Sequence, residues 1–285
     1  MNRNLRWLAL LAVLTALAIA LYLWLSPPRD RSAQAPPATE AATEDSAPPA
    51  VRHPIEAVQP DAAGEPPFDA ASHPVPSLAD SDSAVDAALE GLIGRQAVLD
   101  FLNIGPHIRH LVATVDNLPR QKAPSRAWPV KRTAGQFTVE ESDGAATHIA
   151  VENFARYTPF VDVVTSIDTG HAVALYVRFY SLLRQAYEEL GYPGKYFNDR
   201  VVEVIDHLLA TPEPDGPIRV VLPPHDTSTD FERPWTLYQF ADSRLESASA
   251  GQKILLRMGP ENASRLKQKL AELRARLASA PPATP

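Results

Sequence analysis

Five cations fall close together in the middle of the chain: Arg120, Lys122, Arg126, Lys131 and Arg132. No acid interrupts the stretch between Asp116 and Glu140, and Trp128 stands among the cations. Clustered like charge raises the local positive potential, and an indole adds a face on which a cation or ring can stack. The pattern fits capture of an anionic envelope polymer or a lipid head group. Pro119, Pro124 and Pro129 keep the segment extended, as a strap and not a helix. The plainer reading lays the same strap across the protein's own acidic helices.

Acid–base chemistry has weaker candidates. Asp199, Glu203, Asp206 and His207 share one side of a helix, which is the carboxylate–imidazole set a divalent metal or a proton relay uses. They point away from the Val201, Val204, Ile205 and Leu208 stripe, as a solvated face also does. His107 and His110 form a turn-spaced pair opposite a hydrophobic stripe, without the third ligand that zinc requires. Glu152 has the chemistry of a glycan-cleaving acid, but four residues before Arg156 it reads more simply as half of an ion pair. His225-Asp226-Thr227-Ser228 is no triad by adjacency alone, and Ser264-x-x-Lys267 lacks its companion motifs. Tyr176, Phe179, Tyr180 and Tyr187 either line a groove or fill a core. Glycine-rich phosphate loops, nucleophile elbows and zincin motifs are absent. No catalytic residue, metal ligand set or cofactor is assigned.

Composition narrows the classes further. The 285 residues carry a formal charge of −7 and no cysteine. The acidic balance argues against nucleic acid as a partner, because phosphate contacts need a basic surface. The missing thiols exclude disulfide scaffolds, cysteine-ligated zinc and thiol nucleophiles.

Three regions follow along the chain. Residues 1–25 read as a transmembrane anchor. From Trp7 to Leu25 no charge interrupts the apolar run, and at ~1.5 Å per residue it covers roughly the ~30 Å hydrocarbon core. Trp7 marks one edge, Tyr22 and Trp24 the other. A cleaved leader ending at Ala18-Ile19-Ala20 is the rival, but the run continues five residues past it. The short basic end fits the cytoplasm. That makes the chain single-pass in an inner membrane, with its bulk in the periplasm and the bilayer as its first partner. Residues 26–76 hold 12 prolines and few large apolar side chains, the composition of a disordered tether.

Residues 77–285 read as a globular domain, mainly α with a few short strands. Helices are expected from a Ser81-Asp82-Ser83 cap region to the break at Gly94, over 95–102, from an opening at Pro106 to a stop at Pro119, and over 153–167, 171–190, 199–210, 243–258 and 260–279, the last highly charged. Hairpin strands are expected at 137–141 and 147–151, with further strands at 218–222 and 235–240. Asn198 is read as a helix cap. Leu266, Leu270, Leu273 and Leu277 form a seam of about two heptads, which either docks a partner helix or packs back on the domain.

Three stretches together resemble a known family. They are Ala113-Thr114-Val115-Asp116-Asn117-Leu118-Pro119-Arg120, then Tyr187-Glu188-Glu189-Leu190-Gly191-Tyr192-Pro193 with Phe197-Asn198-Asp199-Arg200, then Ile205-Asp206-His207-Leu208-Leu209-Ala210-Thr211-Pro212. In this order they are similar to the bacterial domain of unknown function 3014 family, from about residue 78 to the C-terminus. The resemblance implies an anchored bacterial protein of this layout and carries no activity or site residues with it. The expected function is a non-enzymatic scaffold, sensor or interaction module that meets an envelope polymer or a protein partner. The alternative is a hydrolase of a cell-wall or envelope substrate that works through carboxylates.

Overall fold

The computed structural model describes residues 50–58, 74–142, 146–224 and 234–278. The anchor at 1–25, most of the tether and the motif at 225–228 lie outside the described residues. Among those described, no single helix is long and apolar enough to cross a membrane.

The domain is helix-dominated, and its breaks fall where backbone chemistry demands them. α1 (Asp82–Ile93) ends at Gly94, whose φ of 82° is open to glycine at no steric cost. α2 (Arg95–Phe101) and α3 (His107–Asn117) follow, α3 opening behind Pro106. The helix expected over 153–167 is two: α4 (Val151–Ala155) and α5 (Thr158–Ser166). Pro159 sits in the first turn of α5, and having no N–H it cannot carry the helical ladder back into α4. The helix expected over 171–190 is also two, α6 (Thr169–Arg178) and α7 (Tyr180–Glu189), parted at Phe179. Its wide apolar arc is thereby explained. Val173 and Val177 face one cluster, with Val58, Val202 and Ile205, while Leu175, Phe179, Leu182, Leu183 and Tyr187 face another, with Ile108, Val112 and Phe197.

α8 (Phe197–Leu209) buries Val202, Val204, Ile205 and Leu208. The span 243–258 divides into α9 (Ser243–Glu246) and α10 (Ala250–Arg257), because Ser249 and Gln252 form a reciprocal capping box that starts α10 afresh. α11 (Pro260–Leu277) lies along α8, α5 and α6.

Two antiparallel pairs complete the fold. β1 (Val139–Ser142) pairs with β2 (Ala146–Ile149), Val139 opposite Ile149. β3 (Val220–Val221) pairs with β4 (Gln239–Phe240), and a bridge from His148 to Arg219 joins the two pairs. The strands are shorter than expected: Val151 already starts α4, and Pro234–Thr236 is a 3-10 turn. Ile149, Val220, Phe240 and Leu256 form their core against α10.

Residues 50–58, inside the span read as tether, pack on the domain. Asp199 accepts the backbone N–H groups of Arg52 and His53 at 3.0 and 2.7 Å, and the Tyr196 hydroxyl accepts that of Ile55 at 2.6 Å. Val58 is buried among Val173, Val202, Ile205 and Leu277. Proline-rich composition does not prevent docking once side chains of the domain satisfy the extended backbone.

Candidate functional site

The basic strap divides into parts with different fates. Near its start Arg120 binds the carboxylate of Asp116 at 2.6 Å, and the Tyr192 hydroxyl donates to the same oxygen at 3.0 Å. Arg200 reaches the other Asp116 oxygen at 3.2 Å. Asp116 is therefore a buried hub, and Arg120 is a structural cation whose affinity for its proton that hydrogen bond raises. Farther along, the strap is fastened to the end of α2: Lys131 N–H donates to Phe101 O, Asn103 donates to Trp128 O and Val130 O, and the Lys131 ammonium caps Leu99 O. Trp128 is half-buried, and its indole N–H finds no acceptor among the described residues. Lys122 and Arg126 are exposed, with no ion pair among the described residues.

The strap's last cation, Arg132, is carried elsewhere. It lines a cleft of about 620 Å³ together with Arg156 and Arg257. Phe137, Tyr157, Trp235 and Tyr238 supply aromatic walls, and among the described residues no carboxylate contributes to the lining. Several elements converge to build it: the strap, the run into β1, the α4–α5 junction, the turn before β4 and the end of α10.

Arg156 corrects the expected pairing with Glu152. Its guanidinium donates instead to Ala134 O at 2.9 Å, Gly135 O at 3.1 Å and Asn153 Oδ1 at 2.5 Å, all neutral acceptors. Asn153, fully buried, also donates to Arg257 O and so ties the two arginine-bearing elements together. Arg257 lies 4.8 Å from the centre of the Phe240 ring, a cation–π distance, and donates to Tyr238 O at 3.4 Å. Burial lowers its pKa, and burial also raises that of the Tyr157 phenol. Arg257 and Tyr157 were not legible as site residues: single letters a hundred positions apart, they carry no spacing rule.

The acidic face does not converge. Asp199 holds the backbone of 52–53; Glu203 pairs with Arg200 at 2.9 Å; Asp206 pairs with Arg274; His207 Nε2 lies 2.9 Å from Ser249 Oγ. The strap is not docked there. His107 turns inward against Asp86 at 2.7 Å, correcting its placement on an outer face. Among the described residues no three His, Asp or Glu side chains gather into a metal-sized cluster.

A second cleft, about 460 Å³, is lined by the proline-rich 212–217 turn and includes Ser264 and Lys267. Lys267 donates to Thr211 O and Glu213 at 2.7 Å each, so its ammonium serves that turn, and no hydrogen bond joins it to Ser264. Tyr176, Phe179, Tyr180 and Tyr187 belong to the core. The leucine seam faces inward: Leu266 sits among Val161, Val204 and Leu255, Leu277 among Val58 and Val173, and Leu270 and Leu273 are half-buried beside them. It is satisfied within the domain and presents no open heptad face.

A family model described as "Protein of unknown function (DUF3014)" matches residues 107–274, a span that contains Arg132, Arg156 and Arg257. No curated protein and no solved structure matches the chain.

Proposed function

The chain belongs to the DUF3014 family, and from that premise we propose that it is a single-pass, membrane-anchored protein of the cell envelope that works as a non-enzymatic scaffold or interaction module. Residues 1–25 hold it in the inner membrane, the bulk of the chain faces the periplasm, and nucleic acid is not its partner. The anchor reading is supported by the length, purity and aromatic edges of the apolar run.

One observation carries the non-enzymatic reading. The helix carboxylates Asp199, Glu203 and Asp206 are each held by a different partner and line neither cleft; the smaller cleft carries Glu140, Glu213 and Asp215, of which Glu213 is paired with Lys267, while the wider cleft is lined by arginines. A glycosidase needs two carboxyl groups facing one another across a substrate, about 5–10 Å apart. Exposed Lys122 and Arg126, with the arginine cleft beyond them, are the surfaces offered to an anionic polymer or protein.

Fractionation tests the anchor. The intact chain stays in carbonate-washed membranes and a chain lacking 1–25 does not; a product trimmed near Ala20 and soluble without detergent overturns the reading. Crosslinking and pull-down from membranes test the module, using the intact chain beside a variant with Lys122, Arg126 and Arg132 changed to Ala. Equal recovery of the same material from both removes the strap as a binding surface.

A further inference from the structure

We propose that the cleft lined by Arg132, Arg156 and Arg257 binds an anionic saccharide, an oxyanion carried on a sugar ring. The inference rests on the reading of the domain as a binding module and does not depend on the anchor.

Charge gives the first argument. Three guanidinium groups share one concavity, and none forms an ion pair among the described residues. Elsewhere in the domain arginines with acidic neighbours pair with them, as Arg109 does with Glu189, Arg200 with Glu203 and Arg274 with Asp206. Glu246 lies in the field of Arg257 but makes its ion pair with Lys253, so the three guanidinium charges stay in excess; excess positive charge in a partly buried site is costly, and an incoming anion reduces that cost.

Geometry gives the second. Arg156 is held in place by three neutral acceptors that leave its charge uncancelled, and two of its five N–H groups have no partner among the described residues. Gly135 closes over it: φ is 76° and a Cβ there would sit 3.5 Å from Arg156 Nε, so the turn approaches the guanidinium closely. Arg257 is fixed by Phe240 beneath it. Groups held this way lose little freedom on binding, and planar guanidinium forks match carboxylate and phosphate oxygens.

The walls select the rest of the ligand. Phe137 and Tyr238 touch each other at 5.7 Å with planes 37° apart, so they do not form a parallel slot that would sandwich a flat base. A ring face open on one side attracts C–H edges through its negative quadrupole, and the apolar face of a sugar supplies those edges. The Tyr157 phenol and the Thr133 hydroxyl, each able to donate and to accept, are suited to sugar hydroxyls. The volume lies within the range of small-molecule sites, about 300–1,000 Å³.

Calorimetric titration of the full-length chain in detergent is the test, with four probes: digalacturonate, glucose 6-phosphate, neutral digalactose and adenosine monophosphate. Saturable binding is expected for one or both anionic sugars, and which of them binds identifies the oxyanion as carboxylate or phosphate. Digalactose should bind at least about tenfold more weakly, and R132Q and R156Q should each reduce affinity about tenfold. Because Arg156 also fastens the 134–135 turn, exposed Arg132 provides the variant that leaves the fold intact. K195Q, at an exposed lysine absent from the cleft lining, should leave affinity unchanged.

No binding of either anionic sugar, equal binding of digalactose, or tighter binding of the nucleotide overturns the proposal. So does wild-type affinity in both arginine variants. Binding that emerges only after Asp226, Asp230 and Glu232 are neutralised would assign the arginines to the chain's own acids and overturn it too. Failure here leaves the fractionation result untouched, so the two readings fall separately.

Discussion

Two polar residues do more for this domain than their one-letter codes suggest. Asp116 is 2% exposed and satisfied by Arg120, Arg200 and the Tyr192 hydroxyl. Asp116→Ala leaves the mostly buried Arg200 charge to Glu203 alone and removes the acceptor of the Tyr192 hydroxyl, and a loss of about 1–3 kcal/mol is expected from urea unfolding. Asn198, read as a cap, is fully buried. Its amide donates to His53 O and Leu277 O, while its oxygen accepts from the Tyr176 hydroxyl. Tyr180 accepts the Asn198 backbone N–H. Burial raises the pKa of Tyr157, Tyr176 and Tyr180, and pushes Tyr187 up to about 12. Phenolate absorbance at about pH 11 should therefore fall well short of the eight tyrosines in the chain, the remainder ionising at higher pH or on unfolding. Full ionisation of the folded protein at that pH would contradict the burial described.

Between elements, joints decide the packing. Gly259 links α10 to α11 with φ at 84°, and a Cβ there would lie 2.4 Å from the Phe154 ring. Gly259→Ala combines backbone strain with overpacking, and a loss of about 2 kcal/mol or more is expected in thermal or urea melts. Gly251 is tight for another reason: its helix touches Leu118, whose carbonyl accepts the Gly251 N–H at 2.9 Å. The docked 50–58 segment hangs chiefly on Asp199. Asp199→Ala removes the acceptor of two backbone N–H groups, so trypsin should cut after Arg52 about tenfold faster than in the parent chain. An unchanged cleavage rate would mean that the Val58 and Ile55 contacts hold the segment unaided.

For the molecule as a whole, pH reports how the charges are arranged. The Arg274 hydrogen bond holds the Asp206 pKa below its ordinary value. For Glu246, burial acts upward but is outweighed by the Lys253 ammonium and the Phe240 N–H, leaving its pKa lowered. A depressed carboxyl pKa contributes stability above the unfolded value, near pH 4, and loses it as pH falls through the folded value. The raised phenol pKa values act at the other end: their contribution is complete below about pH 10 and is lost as pH climbs through the folded values. Unfolding free energy should hence be flat from about pH 5 to 9 and decline on both sides. E246Q should soften the acid limb selectively, because its partner Lys253 is largely buried. An acid limb identical in E246Q would remove that pair as a contributor.

The order of elements was written in local pattern. Gly94, Pro106, Pro119, Gly191 and Gly259-Pro260 punctuate the chain where helices stop or start; Val85, Ala88, Ile108, Val112, Val204, Ile205 and Leu208 are buried at helical spacing, while Leu111 stays exposed. Periodicity of 3.6 residues is a property of neighbours, so it survives in one dimension. It joined pairs of short helices across Tyr157, Phe179 and Ser249, because an apolar stripe runs through a break that only backbone hydrogen bonding and capping reveal. The basic strap was visible as a cluster, but its partition was not: Arg120 is claimed by a carboxylate four residues back, while Arg132 joins Arg156 and Arg257 across more than a hundred residues of chain. Which cation is neutralised depends on distance in space. Coulomb attraction and burial act through space and leave no spacing in sequence, so the cleft exists only once the strap, the hairpins and α10 have packed together.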